Sequence, residues 1–316
     1  MTDPSISPVE IPAEPRAEAP HGETGETAGA PAPHALLEGV LTDLDVLSAS
    51  LDALVTPLDE DGWRTPTPAA GWDVATQVAH LAWTDVAATA AATDKAAWDE
   101  IVLQALADME GFVDTVALQG GAVDPPALLA QWRKARVDLA AALRAQAQER
   151  PGEKMPWFGP PMSPVSMASA RYMETWAHGL DVADALGVEL PPDDGVRHVV
   201  HIGVRTRNFA FATRELTPPA EEFHVKLLAP SGEVWTYGPE DAAQRVEGSA
   251  HDFARLVTQR RHRLDLDLVA TGPDADRWLD VAQAFAGPPG PGRPPAAATT
   301  GSTTSPTTGP TEGGTA

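Results

Sequence analysis

Glu174 and His178 stand four residues apart in the stretch RYMETWAHGLDVADALG, residues 171 to 187. On a helix that spacing places both side chains on one face, one turn apart, where they can reach a single ion. A carboxylate and an imidazole both ligate divalent metals, and a chain without cysteine leaves any metal site to these two donor types. A further histidine, His80, lies in a separate stretch, GWDVATQVAHL, residues 71 to 81. If its helix neighbours the helix of Glu174 and His178, the set becomes His₂Glu with a vacant fourth position, the arrangement that catalytic zinc sites use. Such an ion lowers the pKa of bound water to about 7 and deprotonates a coordinated thiol, so a nucleophile becomes available at neutral pH. A Glu and a His one turn apart also occur as an exposed polar pair or as a satisfied core histidine, and spacing alone leaves those readings open.

Asp181, three residues beyond His178, lies near the same helical face and is a candidate either to orient a ligand histidine or to take a fourth coordination position. Its alternative is a solvated carboxylate, and Asp184 reads as a structural or surface charge. Arg260, Arg261, His262 and Arg263 form a basic run in an acidic chain. Guanidinium groups such as those of Arg260 and Arg261 suit bidentate capture of a carboxylate or phosphate on a substrate, although most such runs are solvated charge or local salt bridges. His198 and His201 are one turn apart but lack an evident third ligand, and His224, His251 and His262 have no partners by spacing. Trp72, Trp83, Trp157 and Trp176 flank the candidate ligands in sequence and either wall an apolar pocket or serve as core.

The elements that must position these residues follow from periodicity. Apolar residues from Leu37 to Leu58 recur every three or four positions, the mark of an amphipathic helix. Asp73 caps a second helix over about 74 to 93, which carries His80. A third helix is expected over 95 to 119 and a fourth over 126 to 150. Ser163 followed by Pro164 starts a helix that runs through Glu174 and His178 to a stop at Gly187. Long helices in succession with short breaks predict an up-and-down bundle. After Pro191 and Pro192 a helix over 195 to 214 precedes a hairpin over 223 to 237 with Pro230, Ser231 and Gly232 at its turn. A strand over 245 to 247, a helix over 250 to 260, a strand over 264 to 269 and a helix over 274 to 285 complete a small α+β unit. The fold class expected is therefore mainly α: a four-helix bundle over 34–190, then an α+β domain over 191–287. Residues 1–33 and 288–316 are rich in Pro, Gly, Ala and Thr with few large apolar side chains, and read as disordered tails.

A formal net charge of -23 argues against nucleic-acid or anionic-membrane binding, which relies on clustered Lys and Arg, the run Arg260 to Arg263 being the one local exception. Neither a signal peptide nor an apolar run of membrane-spanning length is evident, so a cytoplasmic protein is expected.

The two quoted stretches resemble the metal-binding bundle domain of the mycothiol-dependent maleylpyruvate isomerases, within the wider DinB-like family. Gly71, Trp72 and Val74 match that family's Gly-Trp-x-Val lead-in, His80 its first ligand, and Glu174 and His178 its Glu-x-x-x-His. The resemblance spans about residues 35 to 287. The helix around Met173, Trp176, Ala177, His178, Gly179 and Asp181 resembles in particular an actinobacterial branch described only as metal-binding. The resemblance implies a DinB-like four-helix bundle, a divalent metal, zinc by donor type, and mycothiol as a thiol cosubstrate. The function it implies is a thiol-dependent isomerase or S-transferase acting on a small electrophile. A non-catalytic metal-binding sensor or carrier module, and a metal-dependent hydrolase, are the other readings the residues permit.

Overall fold

The computed structural model describes residues 33–109 and 111–296. Of the expected tails over 1–33 and 288–316, residues 1–32 and 297–316 lie outside the described residues. Four long helices form the bundle: α1 (Pro33–Val55), α3 (Val74–Thr93), α6 (Pro125–Glu149) and α7 (Pro164–Leu186), with the single-turn α2 (Glu60–Trp63) after α1. The expected starts hold at atomic detail. Asp73 accepts from the Thr76 amide at 2.8 Å, and Ser163 accepts from the Ser166 amide at 3.1 Å with Pro164 in the first turn.

The pairing departs from a bundle in which successive helices are neighbours. Helix α3 packs on α6 and α7, and α1 packs chiefly on α7. Residues of α3 and α7 that are 94 apart in sequence are thereby in contact. Leu51, Val55, Val74, Val78, Leu81, Leu128, Trp132 and Val182 form the core between the bundle helices nearest the site.

The helix expected over 95 to 119 is two, α4 (Lys95–Ala107) and α5 (Phe112–Gly121). The break falls where the Asp108 carboxylate binds the Gly111 amide at 3.0 Å, a local bond that competes with helix continuation. Helix α5 presses on α3 through its glycines: a Cβ at Gly121 would lie 3.0 Å from the Thr76 Cα, so a larger residue there would push α5 off the helix that carries His80.

The helix expected over 195 to 214 is also two, α8 (Arg197–Arg205) and α9 (Arg207–Ala212). They break at Thr206, whose hydroxyl donates across to the Gln283 carbonyl at 2.7 Å. Strands β1 (Phe223–Leu228), β2 (Val234–Tyr237), β3 (Gln244–Ser249) and β4 (Leu268–Thr271) form one sheet in the order β2-β1-β3-β4. The β1–β2 hairpin is antiparallel as expected, with Val225 opposite Tyr237, whereas β1 and β3 run parallel. Helices α10 (Ala250–Val257) and α11 (Pro273–Val281) cover it. Fold class thus agrees with expectation: a helical bundle followed by a small α+β unit.

Helix α7 belongs to both halves. Its Tyr172, Met173, Trp176, Ala177 and Leu180 are buried with Val199, Val225, Phe253 and Trp278 in one apolar core, while Met167 and Ala168 enter another with Leu37, Leu139 and Leu143. Apolar contact on most of its circumference fixes the rotation of α7 about its axis. The direction in which Glu174 and His178 point follows from that rotation.

Candidate metal centre

His80 on α3 and Glu174 and His178 on α7 come together. One donor atom from each lies within 4.8 Å of the others, and this is the group of three such residues found among the described residues. His80 Nε2 is 3.4 Å and His178 Nε2 3.2 Å from the same oxygen, Glu174 Oε2. Three donors held about 2.0–2.2 Å from one tetrahedral ion lie roughly 3.3–3.6 Å apart, and the two histidine–glutamate separations are close to that spacing.

The lead-in to α3 builds a floor under this cluster. Thr67 and Trp72 pair through a backbone bond of 2.8 Å, closing a tight loop with Gly71 at φ 80°. That left-handed conformation suits glycine, and it sets the Trp72 indole 5.9 Å from the His178 ring, nearly parallel, and 5.3 Å from the His80 ring. Trp72 is held in turn by an Nε1 bond to Asp114 at 3.0 Å.

Gln77 was not singled out by sequence, although it stands three residues before His80 on the same helical face and is fully buried. Its amide donates to the Thr67 hydroxyl at 2.8 Å, and that hydroxyl donates to the Trp72 carbonyl at 2.9 Å. This network orients the amide so that its oxygen faces His178 Nδ1 at 2.5 Å. His178 therefore carries its proton on Nδ1, and in the neutral ring the Nε2 lone pair faces Glu174. Two acceptors then confront each other at 3.2 Å, a contact that a cation between them relieves.

Protonation states agree with that arrangement. Burial and the neighbouring His80 press His178 down to about 4, against the opposing pull of Glu174. Burial pushes the Glu174 carboxyl up, but hydrogen bonding from His178 and His80, whenever either ring carries a proton on Nε2, and the charge of Arg171 outweigh this and hold it well below the usual carboxylate range. Neutral imidazole and ionised carboxylate are the forms that bind metals.

Arg171, one turn before Glu174, is almost fully buried. It donates to the Thr84 hydroxyl at 2.9 Å and pairs with Asp85 at 3.3 Å. Burial pushes the Asp85 carboxyl up to about 6, with Arg171 and Arg136 opposing. The ion pair joins α3 to α7 directly beneath the candidate ligands. Sequence reading gave no sign of it, since neither residue matches a spacing rule.

Asp181 contacts neither histidine; the orienting role expected for it is taken by Gln77. Arg260 Nε lies 3.0 Å from one carboxylate oxygen of Asp181 and Arg293 Nη2 2.5 Å from the other, with Asp181 only 1% exposed. Arg293 also donates to the Pro68 carbonyl in the loop before Trp72. It belongs to the segment 288–296, the start of the stretch whose composition predicts a tail, and here that segment clips the bundle. Arg261 pairs in bidentate fashion with Asp184 at 2.7 and 2.8 Å. Both arginines considered for substrate capture are thus engaged with aspartates of α7, and Asp184 is an ion-pair partner. Replacing Arg293 by alanine is expected to lower the melting temperature by about 2–4 °C, roughly 1 kcal/mol, because Arg260 still covers Asp181; differential scanning calorimetry measures this.

The other histidines do not gather. His198 binds Asp43 of α1 at 2.7 Å and His201 is exposed, so no second ion site forms from them. His224 Nδ1 faces the Gly238 carbonyl, and His262 Nδ1 accepts from the Leu264 amide. His251 is buried against Trp176, ring centroids 5.6 Å apart, with no hydrogen-bond partner for either nitrogen. Burial lowers it to about 4. A histidine depressed on folding contributes stability present above the unfolded value of about 6.5 and lost as pH falls through 4. His251→Leu is therefore expected to raise the melting temperature, and by about 3 °C more at pH 5 than at pH 8, in thermal melts run at both.

Of the expected tryptophan wall, Trp72 and Trp83 border the ligands, Trp157 stacks on Trp98 farther out, and Trp176 is core of the C-terminal half.

The family described as the mycothiol maleylpyruvate isomerase N-terminal domain matches residues 44–183, which hold all three candidate ligands. A second family, described as wyosine base formation, matches residues 219–271, the stretch containing β1 to β4. The crystal structures of the mycothiol-dependent maleylpyruvate isomerase and of its histidine-to-alanine mutant each align with a TM-score of 0.50 at 15% identity, covering 74% of this chain and 92% of theirs. At that identity the likeness is one of fold. No helix among the described residues is long and apolar enough to cross a membrane. Two uncharacterised proteins of Mycobacterium tuberculosis, from two strains, are each 55% identical over 253 residues, 80% of this chain and 97% of the relative. The chain belongs to the family of these mycobacterial proteins, and its residues 44–183 match the model of the mycothiol maleylpyruvate isomerase N-terminal domain.

Proposed function

We propose that His80, Glu174 and His178 hold a divalent ion, zinc by donor type, and that the protein is a thiol-dependent isomerase or S-transferase using mycothiol on a small electrophile. The observation that carries the metal is the lone pair of His178 Nε2 turned toward an ionised Glu174 at 3.2 Å. When bound, a divalent ion with a free coordination position supplies a deprotonated thiol at neutral pH. A cysteine-free chain has no thiol of its own to activate.

The residues around the ion divide the remaining work. Gln77 fixes the His178 tautomer, Arg171 adds to the interactions that keep Glu174 ionised, and Trp72 packs on both imidazoles and limits water on that side. Asp181 would be the nearest carboxylate on α7 to close a fourth position, and it is committed to Arg260 and Arg293. That commitment favours an exchangeable position, hence turnover, over an ion that only staples the bundle.

Metal analysis of the purified protein, joined to a screen of small electrophiles with and without mycothiol, tests the proposal. Stoichiometric zinc and conversion that requires mycothiol are expected. Conversion by water alone would make the protein a hydrolase, and stoichiometric metal with no conversion of any electrophile would leave a sensor or carrier.

A further inference from the structure

Three of the nine tryptophans, together with two phenylalanines, form a strip that starts at the candidate ligands and runs outward. The Trp83 ring lies 6.4 Å from the His80 ring. Phe112 meets Trp83 edge-on at 5.4 Å, and Phe158 stacks on it at 6.3 Å with 28° between planes. Phe158 also touches Trp98, which stacks on Trp157.

The strip is buried at its back, where Phe112 and Trp98 are covered and Trp157 packs against an apolar cluster of the bundle, and open at Trp83 and Phe158. Trp83, Phe112 and Phe158 belong to none of the three apolar clusters that hold the fold together. Phe158 is 45% exposed although it is a large apolar side chain in a loop. That loop is closed at its base by paired backbone bonds between Met155 and Met162, 2.8 and 2.9 Å, so it presents the ring over Trp83 on a fixed stem.

Charge decides what such a strip can accept. Arg171 is engaged by Asp85, Arg260 and Arg293 share Asp181, and Arg261 is held by Asp184. The arginines that surround the candidate ligands are therefore already committed to carboxylates. The chain as a whole repels anions at a formal charge of -23. An acidic substrate would have to displace a buried aspartate from its arginine, whereas an uncharged ring gains a stacking face at no such cost.

We propose that Trp83, Phe112 and Phe158 form a subsite beside the metal ligands that takes the uncharged aromatic ring of the substrate. The inference rests on the metal- and thiol-dependent reading for what happens to that substrate, but not for its binding. It makes Phe158 a specificity-determining residue: its ring covers Trp83 and clamps the incoming plane, and an electrophilic carbon in or on that ring is carried toward His80 and Glu174.

Nitrobenzene, an uncharged planar quencher of tryptophan emission, is the probe, titrated into zinc-loaded and into chelator-treated protein. Saturable quenching is expected in both, weakened 5–10-fold by Phe158→Ala, retained by Phe158→Tyr, and not displaced by maleate, a dianion of similar size. With mycothiol as thiol, Phe158→Ala is expected to raise KM by the same factor for 1-chloro-2,4-dinitrobenzene, whose ring carbon 1 bonds the thiolate sulfur as chloride leaves. Quenching that rises linearly without saturation, that is equal in Phe158→Ala, or that maleate displaces, overturns the subsite. Loss of all thiol chemistry while nitrobenzene still saturates overturns the metal and thiol reading instead and leaves the subsite standing.

Discussion

Replacing His178 by alanine is expected to lower bound metal roughly tenfold or more, by elemental analysis after dialysis, while the far-ultraviolet circular dichroism stays that of a helical protein. The loss follows from removing one of three donors that converge within 4.8 Å of one another. The helicity persists because α3 and α7 are held by apolar cores that do not pass through the site: Val74, Val78 and Leu81 on one side and Met173, Trp176 and Leu180 on the other. Gln77→Leu is the finer test. It leaves all three donors in place but frees the His178 ring and its tautomer, and a loss of metal affinity of about 10-fold is expected by competitive chelation. Full metal stoichiometry in His178→Ala would remove that residue from the site. Unchanged affinity in Gln77→Leu would show that the tautomer is set some other way.

Arg171→Met is expected to destabilise the protein by about 3–5 kcal/mol, because it strips buried Asp85 of its paired guanidinium and leaves it only the charge of Arg136. For a chain of this size that is a fall in melting temperature on the order of 10 °C. The pH dependence gives the cause. Asp85 is raised on folding even with Arg171 present, to about 6. A raised carboxyl contributes stability that is full below its unfolded value and lost as pH rises through the folded one. Without Arg171 the carboxyl rises further, so the deficit of the variant should be larger at pH 8 than at pH 5, where protonation relieves the stranded charge. Combining Arg171→Met with Asp85→Leu should recover most of the loss, since an apolar pair of similar volume replaces an ion pair with little net cost. A double variant as unstable as the single one would mean that Arg171 acts through packing alone. The same change should weaken metal binding, because Arg171 is among the groups that keep Glu174 ionised.

Much of the architecture was readable because its causes are local. The three- and four-residue recurrence of Leu, Val and Ala marks α1, α3, α6 and α7 within a few residues of their observed ends, and Asp73 and Ser163 act as the caps their types predict. The β1–β2 hairpin was legible from its turn residues for the same reason. Where a local bond overrides periodicity, the reading overran. Asp108 closes on Gly111 and ends α4, and Thr206 reaches the Gln283 carbonyl and separates α8 from α9.

The amino-acid sequence by itself determined that Glu174 and His178 share a helical face and that the chain has no thiol to offer, since both follow from spacing and composition. Tertiary packing alone decided what surrounds them. It set α3 beside α7 across 94 residues of chain, brought Gln77 rather than Asp181 to His178, tied Arg260 and Arg293 to Asp181, and buried Arg171 with Asp85. Those outcomes depend on how α7 is rotated between two apolar cores, a sum of many weak contacts from both halves of the protein. No periodicity or spacing rule along one strand of sequence encodes that sum.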